Sequence, residues 1–133
     1  MITIYGQLYS SKNHRQLFKN KSTGKMFIAK PQKAKAAEDG LMVQLKTNKQ
    51  RWRMMIALKE KLFSPDGYYP LRVQFKIYRK NNQRFDYVNI VQSLADQMVK
   101  AGYLPDDNAD YFIPVFVPYE VDASNPRCEI QIL

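Results

Sequence analysis

The chain of 133 residues has one cysteine, Cys128, and one histidine, His14. A single cysteine allows no disulfide within the chain and points to a reducing compartment. One of each also falls short of a zinc site and of a Cys-His or Ser-His-Asp relay, which excludes those chemistries within one chain. Any metal would have to be held by oxygen ligands. The five glycines spell neither G-x-G-x-x-G nor G-x-x-x-x-G-K-[ST], so the glycine cradles for dinucleotides and nucleoside triphosphates are absent. No run reaches the roughly 18 apolar residues of a membrane span, and MITIYGQLYSSKN has no signal-peptide pattern. A soluble, cytoplasmic protein is expected.

Acids are scarce in the first half. Residues 1–61 hold 14 of the 21 Lys and Arg but three of the 12 Asp and Glu, within a net charge of +9. The remainder is slightly acidic. A basic half beside an acidic one suits a polyanion partner with a localised acidic site alongside. With 45% hydrophobic residues the chain can build a core, and its length suits one domain over residues 1–133.

Periodicity predicts an α+β (α/β) domain, a mixed sheet with packed helices. MITIYGQLY reads as a first strand carrying Ile2, Ile4 and then Leu8. Lys12 to Lys30 carries six Lys or Arg and no acid; Ser22, Thr23 and Gly24 supply a turn between two short runs, Gln16–Lys19 and residues 25–29, which predicts an exposed basic hairpin. After Pro31 come helix formers, with Gly40 and Thr47-Asn48 expected to divide them into a short helix and one or two longer ones. Met42, Leu45, Trp52, Met55, Ile56 and Leu62 form the apolar stripe. Residues 64–70 form a turn, and LRVQFKIYRK alternates with Leu71, Val73, Phe75 and Ile77 inward. Two strands close the chain: one interrupted or at an edge because of Pro114 and Pro118, and a last one burying Cys128, Ile130 and Ile132.

The acids gather around one predicted helix, residues 87–101, with Ile90, Val91, Leu94, Met98 and Ala101 on its apolar face and Gly102 at its end. Asp86 precedes it, in position to cap its free amides. Asp106, Asp107 and Asp110 follow it with no helix start to cap. These acids are either a cap and a solvated turn, or ligands: Asp86 with Asp106 or Asp107 holding Mg²⁺ beside a basic surface that grips phosphates. The helix is about 20 Å long at 1.5 Å per residue, so a return from Ala101 to Asp107 that meets Asp86 has little slack.

The segment RFDYVNIVQSLADQMVKAGYLPDD resembles the RusA-type Holliday junction resolvases, in which D-x-D-N opens a helix, a Lys follows the Asn by three, and an in-helix Asp, K-A-G-aromatic and a D-D pair complete the pattern. Here Arg84, Asp86, Asn89, Asp96, KAGY and Asp106-Asp107 match. Val88 stands at the second acid and Gln92 at the lysine. SSKN at positions 10–13 is similar to the family's N-terminal loop. The resemblance implies a homodimer that cuts four-way or other branched DNA with Mg²⁺ or Mn²⁺. On it, Asp86, Asp107, Asn89 and Gln92 are the expected catalytic residues and Asp86, Asp107 and Asp106 the expected metal ligands, with Asp96 and Asp110 as possible additions. Lys12, Asn13, Arg15, Lys76, Arg79, Lys80 and Arg84 are the expected DNA contacts. Among Tyr5, Tyr9, Phe18 and Phe27, stacking on unpaired bases competes with packing, and packing is expected for most. Two other readings stay open: a non-catalytic branched-DNA-binding protein, and a basic protein-interaction module.

Overall fold

Apolar residues at alternate positions set the strands, and the computed structural model, which describes residues 1–10, 16–29, 32–62 and 69–133, shows how they pair. The strands are β1 (Ile2–Tyr5), β2 (Gln16–Lys19), β3 (Met26–Ala29), β4 (Leu71–Arg79), β5 (Phe112–Phe116), β6 (Glu120–Val121) and β7 (Arg127–Ile132). Two helices, α1 (Gln32–Leu62) and α2 (Tyr87–Lys100), flank β4 in sequence. Lys12, Asn13, Arg15, Lys30 and most of the expected turn at 64–70 lie outside the described residues.

The main sheet runs β1-β7-β4-β5, with β6 also on β4. β7 pairs antiparallel with both β1 and β4, whereas β5 and β6 run parallel to β4. Register aligns the apolar positions in rows: Ile4, Cys128 and Ile77 form one, and Ile2, Ile130 and Phe75 the next. All six are buried on the face that the helices cover. Burial, with Glu129 adding to it, pushes the Cys128 thiol up to about 12. The opposite phase of β4 and β7 is polar, with Arg127 between Asp122 at 2.9 Å and Glu129 at 3.5 Å. A sheet packed on one face and open on the other has this alternation. The fold is a small α+β domain, as the periodicity predicts.

Helix α1 is continuous, where Gly40 and Thr47-Asn48 were expected to divide it. Thr47 Oγ1 donates to the Val43 carbonyl at 2.8 Å and Asn48 Nδ2 to the Gln44 carbonyl at 2.9 Å. The two polar side chains thus bond one turn back instead of competing for the backbone of a turn. Gly40 is exposed and costs about 1 kcal/mol against alanine, which a 31-residue helix anchored by buried Leu45 and Trp52 absorbs. Among the described residues, no helix is long and apolar enough to cross a membrane.

The β2–β3 hairpin forms on its predicted turn. Asn20 Oδ1 accepts from the Ser22 and Thr23 amides, and Gly24 takes φ +72°, a conformation that side-chain-bearing residues resist. Pro114 and Pro118 also act as expected: β5 is an edge strand, and pairing breaks before the two residues of β6.

Candidate nucleic-acid interface

The site begins where β4 ends and α2 starts. Asp86, extended at φ −110° and ψ 114°, caps α2: its Oδ1 accepts from Val88 N at 2.9 Å and Asn89 N at 3.4 Å. Tyr87 anchors the first turn by donating its hydroxyl to the Val117 carbonyl at 2.8 Å. Four residues later in each step, Val88, Gln92 and Asp96 share one exposed stripe of the helix. The opposite side buries Ile90, Val91, Leu94 and Met98 as predicted, together with Gln97, whose spacing of three from Leu94 places it on that side.

A cleft of about 300 Å³ opens at this junction. Residues 7–10 form one wall; Arg79, Lys80 and Arg84 line it with Phe85, Asp86 and Asn89 from the other. Two bonds hold the walls together: Arg79 Nη1 donates to the Leu8 carbonyl at 2.7 Å, and the Lys80 amide donates to Gln7 Oε1 at 2.7 Å.

Arg79 is 5% exposed, and its guanidinium lies 4.5 Å from the centre of the Phe85 ring. Among the described residues its Nε has no hydrogen-bond partner and no carboxylate pairs with the guanidinium. Burial lowers its pKa, yet an arginine keeps its charge at any physiological pH. A buried cation without a counter-charge favours an anion nearby. Among the described residues the only carboxylate lining the cleft, Asp86, turns one oxygen onto backbone amides.

Aromatic rings continue from this point. Phe85 packs on Tyr87 and on Tyr119, each at 4.9 Å between centroids, and Tyr87 on Phe116 at 5.7 Å. Tyr9, 48% exposed, is the ring on the facing wall.

The second acid group joins Asp96 of α2 to the loop that follows the helix. Asp107 interacts with Asp106 and Asp96, and its carboxyl is raised above the usual range by desolvation first, then by the hydrogen bond with Asp106 and the charge of Asp96. Asp96 follows Asp86 by ten residues, about 15 Å along a helix axis. The acids that were expected to converge are therefore split: Asp107 stands with Asp96 and Asp106, and Asp86 with the cations of the cleft. Asp106 also turns its carboxylate to its own loop, accepting from Asp107 N at 2.8 Å and Asn108 Nδ2 at 3.0 Å. Among the described residues no three His, Cys, Asp or Glu side chains form a metal cage. Asp110 is exposed in the same loop.

Of the expected DNA contacts, Arg79, Lys80 and Arg84 meet in the cleft. Lys76 does not line it; its ammonium donates to the Pro118 carbonyl at 2.8 Å and pairs with Glu120 at 3.6 Å. Asn89 lines the cleft, whereas Gln92 is exposed on the stripe towards Asp96. Sequence reasoning put Arg79 at the border of the site as a DNA contact and did not foresee its burial, although its odd number continues the inward phase of Leu71, Val73, Phe75 and Ile77. Gln7 and Phe85 it did not single out at all. No protein-family model matches the chain, and no curated protein sequence does either.

Proposed function

We propose that the chain binds branched DNA, with a four-way junction as the type substrate, and hydrolyses its backbone as a homodimer with Mg²⁺ or Mn²⁺. The observation that carries this reading is the cleft at the start of α2, where Arg79, Lys80 and Arg84 meet and no carboxylate among the described residues pairs with the buried guanidinium. Cations in such an array bind phosphates of any sequence and lose affinity as salt rises. The resemblance to the RusA-type resolvases selects branched DNA among polyanions.

The acid group formed by Asp96 of α2 and the loop after it supports the hydrolytic part. Asp107 with Asp96 supplies hard oxygen donors, and Mg²⁺ usually takes one or two carboxylates and keeps several waters. When bound, the cation supplies an acidified water and offsets charge on the phosphate. Gln92, one turn before Asp96, offers an amide to a phosphate oxygen, while Lys80 and Arg84 hold the strand. A cation shared by Asp86 and Asp107 would have to lie between two chains.

A non-catalytic branched-DNA-binding protein is the second reading, and Val88 favours it. That side chain is 61% exposed and places an isopropyl group where the resemblance calls for a carboxylate.

Incubation of a synthetic four-way junction with Mg²⁺ or Mn²⁺ tests the proposal. Paired nicks by the wild type, lost in Asp107→Asn, support hydrolysis. Tight binding without nicks at every metal concentration returns the second reading. Binding that is indifferent to salt between about 50 and 200 mM removes both.

A further inference from the structure

We infer that the cleft at the start of α2 takes a single unpaired nucleotide, with its base on the ring of Tyr9 and its phosphate on Lys80 and Arg84. The inference rests on the DNA-binding reading and narrows it to DNA with an unpaired position at or near the branch.

Size comes first. The cleft holds about 300 Å³, the lower end of the roughly 300–1,000 Å³ of pockets that enclose small molecules. One nucleotide fits such a space and a duplex does not. Composition is the second reason. A surface that only grips duplex phosphates needs cations, whereas this one sets Lys80 and Arg84 beside apolar walls made by Leu8 and Ile90. Tyr9 adds a ring that is 48% exposed. Cations for the backbone with an aromatic face for the base is the arrangement that binds single strands. Asn89 brings an amide, able both to donate and to accept, as the edge of an extruded base requires.

The ring is also held in place. Arg79 Nη1 on the Leu8 carbonyl and the Lys80 amide on Gln7 Oε1 fix the segment that carries Tyr9 to the end of β4. Arg79 covers one side of Phe85.

Three probes test this with the full chain: a short duplex, the same duplex with one unpaired thymidine, and a fully paired four-way junction. The expected result is roughly tenfold tighter binding of the duplex with the unpaired thymidine than of the paired duplex. Tyr9→Leu brings that ratio towards one, and Tyr9→Phe, which keeps the ring, restores it. With 5-iodouracil at the unpaired position, irradiation crosslinks the probe to Tyr9. Equal affinity for the two duplexes, a ratio that survives Tyr9→Leu, or a crosslink mapped to another residue overturns the inference. Should the paired junction bind while the unpaired nucleotide adds nothing, only this inference falls. Should none of the probes bind, the DNA-binding reading falls with it.

Discussion

At its last turn α2 is closed on itself and on the core, and at its first turn it faces a cleft. The closing turn is a Schellman motif: Gly102, at φ +81°, donates to the Val99 carbonyl at 3.0 Å, and Tyr103 donates to Met98 at 2.8 Å. Tyr103 then stacks on Trp52 at 5.1 Å, accepts from its indole at 2.8 Å through the backbone, and gives its hydroxyl to the Leu45 carbonyl. Every polar group named there has a protein partner. The opening turn has one cap, Asp86, and beside it the buried Arg79 guanidinium, whose Nε has no partner among the described residues. One helix thus has an end that stabilises the fold and an end available for an outside anion.

The largest effect should come from the closed end. Trp52, on α1, is fully buried against Tyr103, so Trp52→Ala removes the ring and its bond to the Tyr103 carbonyl. A loss of about 3–5 kcal/mol is expected, a large share of the stability of an ordinary domain. Urea unfolding followed by circular dichroism measures it. A loss below about 1 kcal/mol would mean that the α1–α2 contact contributes little, and the comparison would fail.

Lys80→Ala with Arg84→Ala should do the reverse, leaving the urea midpoint almost unchanged and altering DNA binding. Each phosphate contact adds about 0.9 to the slope of log affinity against log salt, so the double variant should lose about 1.8. Junction titrations at several salt concentrations read the slope directly. An unchanged slope would remove the cleft from the interface.

The closed end could be read from the sequence to a large extent, because its rules are local. Apolar spacing of three and four marks the inner face, and the glycine after Ala101 marks the stop. β4 and β7 were equally legible, since a two-residue period assigns each side chain to a face. What failed was long-range or depended on exceptions. Arg79 obeys the period of β4, but its burial was not foreseen, because the Leu8 carbonyl that receives it is 71 residues away. Thr47 and Asn48 carry turn chemistry, and only the packing of Leu45 and Trp52 decides that they stay in a helix. The acids show the same limit. Their spacing left convergence of Asp86 and Asp107 open, and the return path of the chain brings Asp107 to Asp96 instead.

Asp86 separates capping from chemistry in a pair of variants. Asp86→Ala should cost about 1 kcal/mol by freeing the Val88 and Asn89 amides. Asparagine caps about as well, so Asp86→Asn should unfold at nearly the wild-type urea concentration. If nicking of a junction is observed in the wild type and survives in Asp86→Asn, the residue is a cap alone. If it disappears while stability holds, the carboxylate charge takes part in the reaction.

The smallest effect is expected at Asp107, where charge rather than packing is at stake. Desolvation, Asp106 and Asp96 raise its carboxyl pKa in the folded chain. The folded state therefore holds that proton more tightly than the unfolded one, and stability falls as pH rises through the folded pKa. At neutral pH the ionised Asp107 is mildly unfavourable, and its exposure keeps the cost small. Asp107→Asn leaves the amide that donates to Asp106 intact and removes the charge. Its Tm should lie slightly above that of the wild type at pH 7 and converge with it below the carboxylate range, where both side chains are neutral. Mg²⁺ should raise the wild-type Tm more than NaCl of equal ionic strength does, and the excess should shrink in the variant. Equal responses to the two salts would leave Asp96, Asp106 and Asp107 as a solvated turn and confine the functional part of α2 to its first turn.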